Sequence, residues 1–167
     1  MKVAVRELFE TVILALLIFS LLQITVQNYR VEGPSMLSTL SDGEHVLVNK
    51  VVYAKFNSGG LISKIPFTDL AEGRSVYPFH PPRRGDVIIF HFPRNKSRDF
   101  VKRVIGLAGD TVEIDHGLVV VNGIPLAEPY VTNPDRSDMH QVRIPAGNFF
   151  VLGDNRRASN DSRNWGL

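Results

Sequence analysis

Ser35 and Lys102 are the side chains whose types and settings could do chemistry. Ser35 sits in Gly33-Pro34-Ser35-Met36, and Lys102 in Phe100-Val101-Lys102-Arg103-Val104-Ile105-Gly106. A serine hydroxyl attacks a peptide carbonyl when a neighbouring base removes its proton. A neutral lysine can be that base, so no histidine is required. Pro34 fixes its own φ and lacks an N–H, while Gly33 permits tight backbone geometry. The segment can therefore hold the Ser35 hydroxyl outward and aim the Ser35 N–H at a developing oxyanion. Gly-Pro-Ser is also a common turn.

If the Lys102 run is a strand, Phe100, Lys102 and Val104 share one face and Val101, Arg103 and Ile105 the other. A lysine between two large apolar neighbours on a core-facing surface loses hydration, which lowers its pKa toward the range a general base needs. Arg103 stays charged and cannot serve in this way. The same alternation also fits a Lys102 that faces solvent. A third segment, residues 153–166, gathers Asp154, Asn155, Ser159, Asp161, Ser162 and Arg163. Ser159 could hydrogen-bond a neutral lysine amine, and Asp161 and Arg163 could pair to brace the loop. An ordinary solvated loop has the same composition.

These groups must be positioned by 167 residues, enough for about one domain. Hydrophobic residues make up 44% of the chain, and one block near the N-terminus takes a large share of them. Residues 8–26 are almost wholly apolar and would span about 28 Å as a helix, close to the hydrocarbon thickness of a bilayer. The apolar residues cover all faces, unlike the stripe of a core helix. No small-x-small cleavage site follows. Lys2 and Arg6 precede the span and only Arg30 follows closely, which favours a cytoplasmic N-terminus. The expected division is a cytoplasmic tail over 1–7, a transmembrane signal-anchor over 8–27 and an extracytoplasmic domain over 28–167. Net charge is +2 with no long basic run, so nucleic acid is not an expected partner. There is no cysteine, which excludes disulfides and thiolate metal sites. The five histidines suggest neither a metal site nor a nucleophile-elbow hydrolase.

Beyond residue 28 the pattern changes to short β-like runs at 45–48, 86–90, 111–114, 118–121 and 149–152, separated by Gly, Asn and Asp. Asn122-Gly123 predicts a tight turn joining 118–121 to a short strand at 124–126. The expected fold class is mainly β: an antiparallel, partly barrel-like domain preceded by one transmembrane helix. Residues 57–82 form a long irregular connection. Phe56, Leu61, Ile62, Ile65, Phe67 and Phe79 in and beside it could touch a membrane or pack on their own domain.

Four ordered segments then carry a resemblance. Gly33-Pro34-Ser35-Met36 with Thr39-Leu40, Arg84-Gly85-Asp86-Val87-Ile88-Ile89-Phe90, Lys102-Arg103-Val104-Ile105-Gly106-Leu107 with Gly109-Asp110, and Gly153-Asp154-Asn155-Arg156 through Ser159, Asp161-Ser162-Arg163 and Trp165-Gly166 together resemble the boxes of bacterial type I signal peptidases. That resemblance implies a membrane-anchored serine endopeptidase that removes signal peptides from exported preproteins, without metal or other cofactor. It implies Ser35 as nucleophile, Lys102 as general base, Ser159 orienting Lys102, Asp161 and Arg163 as a supporting ion pair, and Asp154 ordering the loop. Val31, Met36, Leu40, Phe100 and Val101 are similar to the family's substrate-pocket positions, a shallow apolar lining that suits small side chains before the cleavage point. The implied partners are preprotein signal peptides and membrane lipid. The implied location is the cytoplasmic membrane, single-pass, with the catalytic domain outside; no oligomeric state is implied.

The chain departs from the family pattern at Ser38 and Ala108, where proline is usual. Ser38 suggests a looser turn after the nucleophile. Gly33 supplies no side-chain donor to an oxyanion, as in the glycine-type members. Family members usually continue past Leu167, which leaves a truncated C-terminus open. Two other readings remain: a precursor-processing protease specialised for a conjugation or pilus system, and a non-catalytic membrane-tethered β-domain. The second has no use for both Ser35 and Lys102.

Overall fold

The N-terminal apolar run becomes one 24-residue helix, α1 (Lys2–Thr25). Its Val5–Thr25 portion is long and apolar enough to cross a membrane. Arg6 Nε meets Glu10 Oε1 at 2.9 Å one turn away, which gives the acid near the start of the span a counter-charge. Thr11 and Thr25 donate to Glu7 O and Leu21 O at 2.8 and 2.9 Å, so these hydroxyls are satisfied inside the helix. The helix stops at Thr25, two residues short of the expected segment, because Val26 opens a strand.

The computed structural model describes residues 2–52, 56–57, 75–76 and 80–167. They belong to two compact units, Met1–Tyr29 with Val46–Pro81 and Arg30–His45 with Pro82–Leu167. Strand β1 (Val26–Arg30) follows α1 and pairs with β2 (His45–Asn49); all but their end residues Arg30 and His45 belong to the first unit. β3 (Phe56–Asn57) and β4 (Ser75–Val76) pair antiparallel. The rest of the 57–82 connection up to residue 79, with Leu61, Ile62, Ile65, Phe67 and Phe79, lies outside the described residues.

The second unit holds two antiparallel sheets. β5 (Val87–Phe92) and β11 (Phe150–Leu152) flank the 12-residue β6 (Asn95–Gly106), which continues well before and after Lys102. The register puts Ile88 opposite Lys102 and Phe90 opposite Phe100. The other sheet has the order β10 (Met139–Arg143), β7 (Thr111–Asp115), β8 (Leu118–Val121), β9 (Ile124–Pro125). Its hairpins turn on His116-Gly117 and Asn122-Gly123. All four residues have positive φ (47°, 88°, 53° and 77°), the pattern of the two-residue turns that match strand twist. Ile105, Val112, Ile114, Val119, Val121, Ile144, Phe150 and Leu152 form the buried cluster, contributed by alternate positions of strands from both sheets and by Ile144 just after β10. The sheets are antiparallel as expected, and no barrel closes among the described residues. β10 and β1 go beyond the expected strands: a register shift interrupts β10, and β1 is largely polar, so neither shows clean alternation.

Gly117 joins this hairpin to the β9–β10 connection. Its N–H donates to Ser137 O at 2.9 Å, and a Cβ there would strike the Asp135 carbonyl. Gly117→Ala combines a left-handed conformation with that collision and is expected to cost about 2 kcal/mol or more. Thermal unfolding of the variant beside the parent checks this.

Candidate active site

The turn carrying Ser35 is built by backbone contacts. Gly33, at φ +86°, donates to Asp42 Oδ1 at 2.8 Å. Leu37 N donates to Pro34 O at 3.2 Å, and Thr39 N and Leu40 N both reach Met36 O at 2.8 Å. Ser38 Oγ donates to Tyr130 O at 3.0 Å, which ties the turn to the β9–β10 connection.

Lys102 arrives from the central strand β6 and is only 4% exposed. Its Nζ lies 2.9 Å from Ser35 Oγ and 2.9 Å from Val101 O, with the Phe100 ring centroid at 5.3 Å. Burial is the largest influence on its ionisation and lowers its pKa to about 8, against smaller opposing pulls from Asp161 and Asp154. The unfolded chain binds this proton more tightly. Burying the ammonium therefore costs stability in full below about pH 8, and the cost fades as pH rises toward the ordinary lysine value of 10.5. It amounts to about 3 kcal/mol.

The neighbouring carboxylates are each claimed by an arginine. Arg103 leaves β6 beside Lys102 and grips Asp154 with two bonds, Nε to Oδ1 at 2.9 Å and Nη2 to Oδ2 at 2.7 Å. It also reaches Gly85 O at 2.7 Å and Thr39 Oγ1 at 3.1 Å, and its guanidinium lies 4.0 Å from the Tyr130 ring centroid. Thr39 Oγ1 donates to Asp154 Oδ2 at 2.5 Å. Asp161 is fully buried and caps the short helix α2 (Ser162–Trp165). It accepts from Arg163 Nε and Nη2, both at 2.8 Å, and from Gly153 N at 3.1 Å. Arg163 further meets Asp135 at 2.5 Å and donates to Arg156 O at 2.8 Å.

Ser35, Lys102, Asp154, Asp161 and Arg163 are thus gathered in one neighbourhood. Ser159 differs from expectation. Lys102 Nζ is engaged by Ser35 Oγ and Val101 O, and Ser159 Oγ is buried with no hydrogen-bond partner. Gly153 lies against Ser35 and Ser159, since a Cβ there would sit 2.5 Å from Ser35 O and closer still to Ser159 Oγ. Among the pocket positions, Val31 and Met36 are buried, Met36 without exposed surface, while Leu40, Phe100 and Val101 are half-buried. Phe100 stacks on Phe92 at 4.5 Å.

The β9–β10 connection supplies partners that no motif in the sequence marks. Glu128 receives both outer nitrogens of the buried Arg156 at 2.9 and 2.6 Å. Tyr130 supports Arg103, Asn133 bonds Asn155, and Asp135 bonds Arg163. The available signal was charge balance: arginines buried near an apolar core need carboxylates, and this connection holds two that meet them. Outside the site, Asp115, His116 and Asp138 bring their possible ligand atoms within 4.8 Å of one another, although no histidine spacing suggested such a group. All three are exposed.

Removing the Asp154 carboxylate leaves Arg103 charged, mostly buried and unpaired. Asp154→Ala is expected to lower stability by about 3–5 kcal/mol, read from denaturant midpoints of the detergent-solubilised chain.

A family model described as "Signal peptidase, peptidase S26" matches residues 5–167. A probable signal peptidase I-1 of Synechocystis is 36% identical over 98% of this chain and 75% of its own length. Signal peptidase IB of Staphylococcus aureus is 35% identical over 97% of this chain and 83% of its own length. A crystal structure of a signal peptidase I from Enterococcus faecalis has a TM-score of 0.47 and 36% identity, covering 52% of this chain and 88% of that one. With its family model spanning α1, the Ser35 turn, β6 and the terminal loop, this chain belongs to the signal peptidase family, peptidase S26.

Proposed function

We propose that this chain is a membrane-anchored serine endopeptidase that removes N-terminal signal peptides from exported preproteins, with Ser35 as nucleophile and neutral Lys102 as general base. The observation that carries this reading is the 2.9 Å contact between Lys102 Nζ and Ser35 Oγ, made by a lysine whose titration burial brings down to about pH 8, so that a usable fraction is neutral near physiological pH. In the neutral form the hydroxyl donates to the amine lone pair. Ser35 Oγ bonds to the scissile carbonyl carbon as its proton passes to Lys102. The Ser35 N–H meets the oxyanion, and Lys102 then gives the proton to the departing amine. Water, deprotonated in turn by Lys102, releases the signal peptide from the acyl-enzyme.

The supporting groups follow from the same geometry. Asp161 and Arg163 brace the loop that carries Ser159, and the free Ser159 hydroxyl would orient the amine once Ser35 is acylated. Asp154, held by Arg103 and Thr39, fixes the loop against the nucleophile turn. Leu40, Phe100 and Val101, which keep some exposed surface, would line the subsites for small apolar residues, with the buried Val31 and Met36 supporting that lining from within. The α1 helix is the anchor, with Lys2 and Arg6 on the cytoplasmic side and the catalytic unit outside.

Three outcomes test this reading. The detergent-solubilised chain should cut a preprotein at its signal-peptide junction, with Ser35→Ala and Lys102→Met reducing turnover to background; cleavage that survives either substitution sinks the assignment. Activity should rise with pH through about 8, because only the neutral amine accepts a proton. Asp161 pulls the Lys102 pKa up, so Asp161→Asn should move that rise to lower pH. Chelators should leave the rate unchanged, since no step uses a metal; a lost rate restored by a divalent cation would contradict the mechanism.

A further inference from the structure

Asn155 is only 6% exposed and holds both carbonyls that flank the Ser35 α-carbon. Its backbone N–H donates to Ser35 O at 3.0 Å, and its Nδ2 donates to Pro34 O at 3.0 Å. Pro34 C=O and Ser35 N–H are opposite ends of one rigid peptide plane. A bond that fixes the carbonyl end therefore fixes where the N–H end points. A carbonyl only accepts, so Asn155 must turn its NH₂ toward Pro34, which leaves Oδ1 facing away. Asn133 Nδ2 donates to that Oδ1 at 2.8 Å. Asn133 thus fixes which way round the Asn155 amide sits, from a connection the proposed mechanism does not otherwise use.

We propose that Asn155 and Asn133 are positioning residues: Asn155 aims the Ser35 N–H at the oxyanion through the Pro34–Ser35 peptide plane, and Asn133 fixes the orientation of the Asn155 amide. This rests on the assignment of Ser35 as nucleophile. Neither residue touches the reacting atoms, so their influence falls on transition-state stabilisation more than on substrate binding.

The test is preprotein cleavage by the full chain in detergent, reading kcat, KM, the pH profile and the unfolding midpoint. The variants are Asn133→Asp, Asn133→Ser and Asn133→Ala, with Ser35→Ala as control. A carboxylate at 133 only accepts, so it draws the Asn155 NH₂ to itself and turns Oδ1 against Pro34 O. Asn133→Asp is expected to lower kcat about 10- to 100-fold on the high-pH plateau, with KM within about twofold, and Asn133→Ala, which adds no charge, to leave the pH inflection unmoved. Asn133→Ser keeps a donor and should stay within about threefold of the parent. If Asn133→Asp does not fold, Asn133→Ala against Asn133→Ser makes the same comparison, with lower kcat in the variant lacking a donor. An active parent and a dead Ser35→Ala, beside an Asn133→Asp or Asn133→Ala that turns over like the parent, overturns this inference alone. A loss that only tracks the unfolded fraction, or that appears in KM, overturns it equally. An inactive parent or an active Ser35→Ala overturns the nucleophile assignment and this inference with it.

Discussion

The structure turns on keeping one lysine dry without giving it a full-time counter-ion. Two carboxylates, Asp161 and Asp154, favour the charged form of Lys102. Each is occupied on two edges by an arginine, Asp154 by Arg103 and Asp161 by Arg163. Their attraction for the amine is thereby blunted, and loss of hydration wins. The arginines hold the carboxylates in place and leave the lysine near its titration point.

Such ion pairs are costly to bury and are not a net source of stability. Their geometry suggests a locating role. Arg103 by itself touches the β5 entry, the Ser35 turn and the terminal loop, three segments far apart in the chain. The β9–β10 connection works from the other side, where Glu128, Tyr130, Asn133 and Asp135 each engage a different member of the site. Side chains with fixed donor geometry, arginine above all, suit this task because they specify direction as well as distance.

Much of this was legible in the sequence where local chemistry dominates. The apolar run, the Asn122-Gly123 turn and the alternating strands 111–115 and 118–121 formed as their patterns require. β10 and β1 were hidden because their partners, and not their own periodicity, make them strands. At the site, Ser35, Lys102, Asp154, Asp161 and Arg163 were marked by four ordered segments. Their partners were not: which carboxylate an arginine chooses depends on tertiary contacts. The second contact of the lysine amine is to a main-chain carbonyl, a group that every residue carries and no sequence pattern distinguishes.

The β7–β8–β9 meander and the candidate site differ in how far apart their partners lie along the chain. The hairpins through β7, β8 and β9 close over two-residue turns, at little loss of chain entropy. The Ser35–Lys102 contact spans 67 positions, Thr39–Asp154 spans 115 and Pro34–Asn155 spans 121. Contacts of that reach close against a larger entropy and weigh on folding rate. A chain with only its meander in place has a partial hydrophobic core and no Ser35–Lys102 contact. On the proposed assignment, hydrolytic competence is thus tied to completion of the tertiary structure, and a nascent or partly unfolded copy would carry no assembled means of cutting its neighbours.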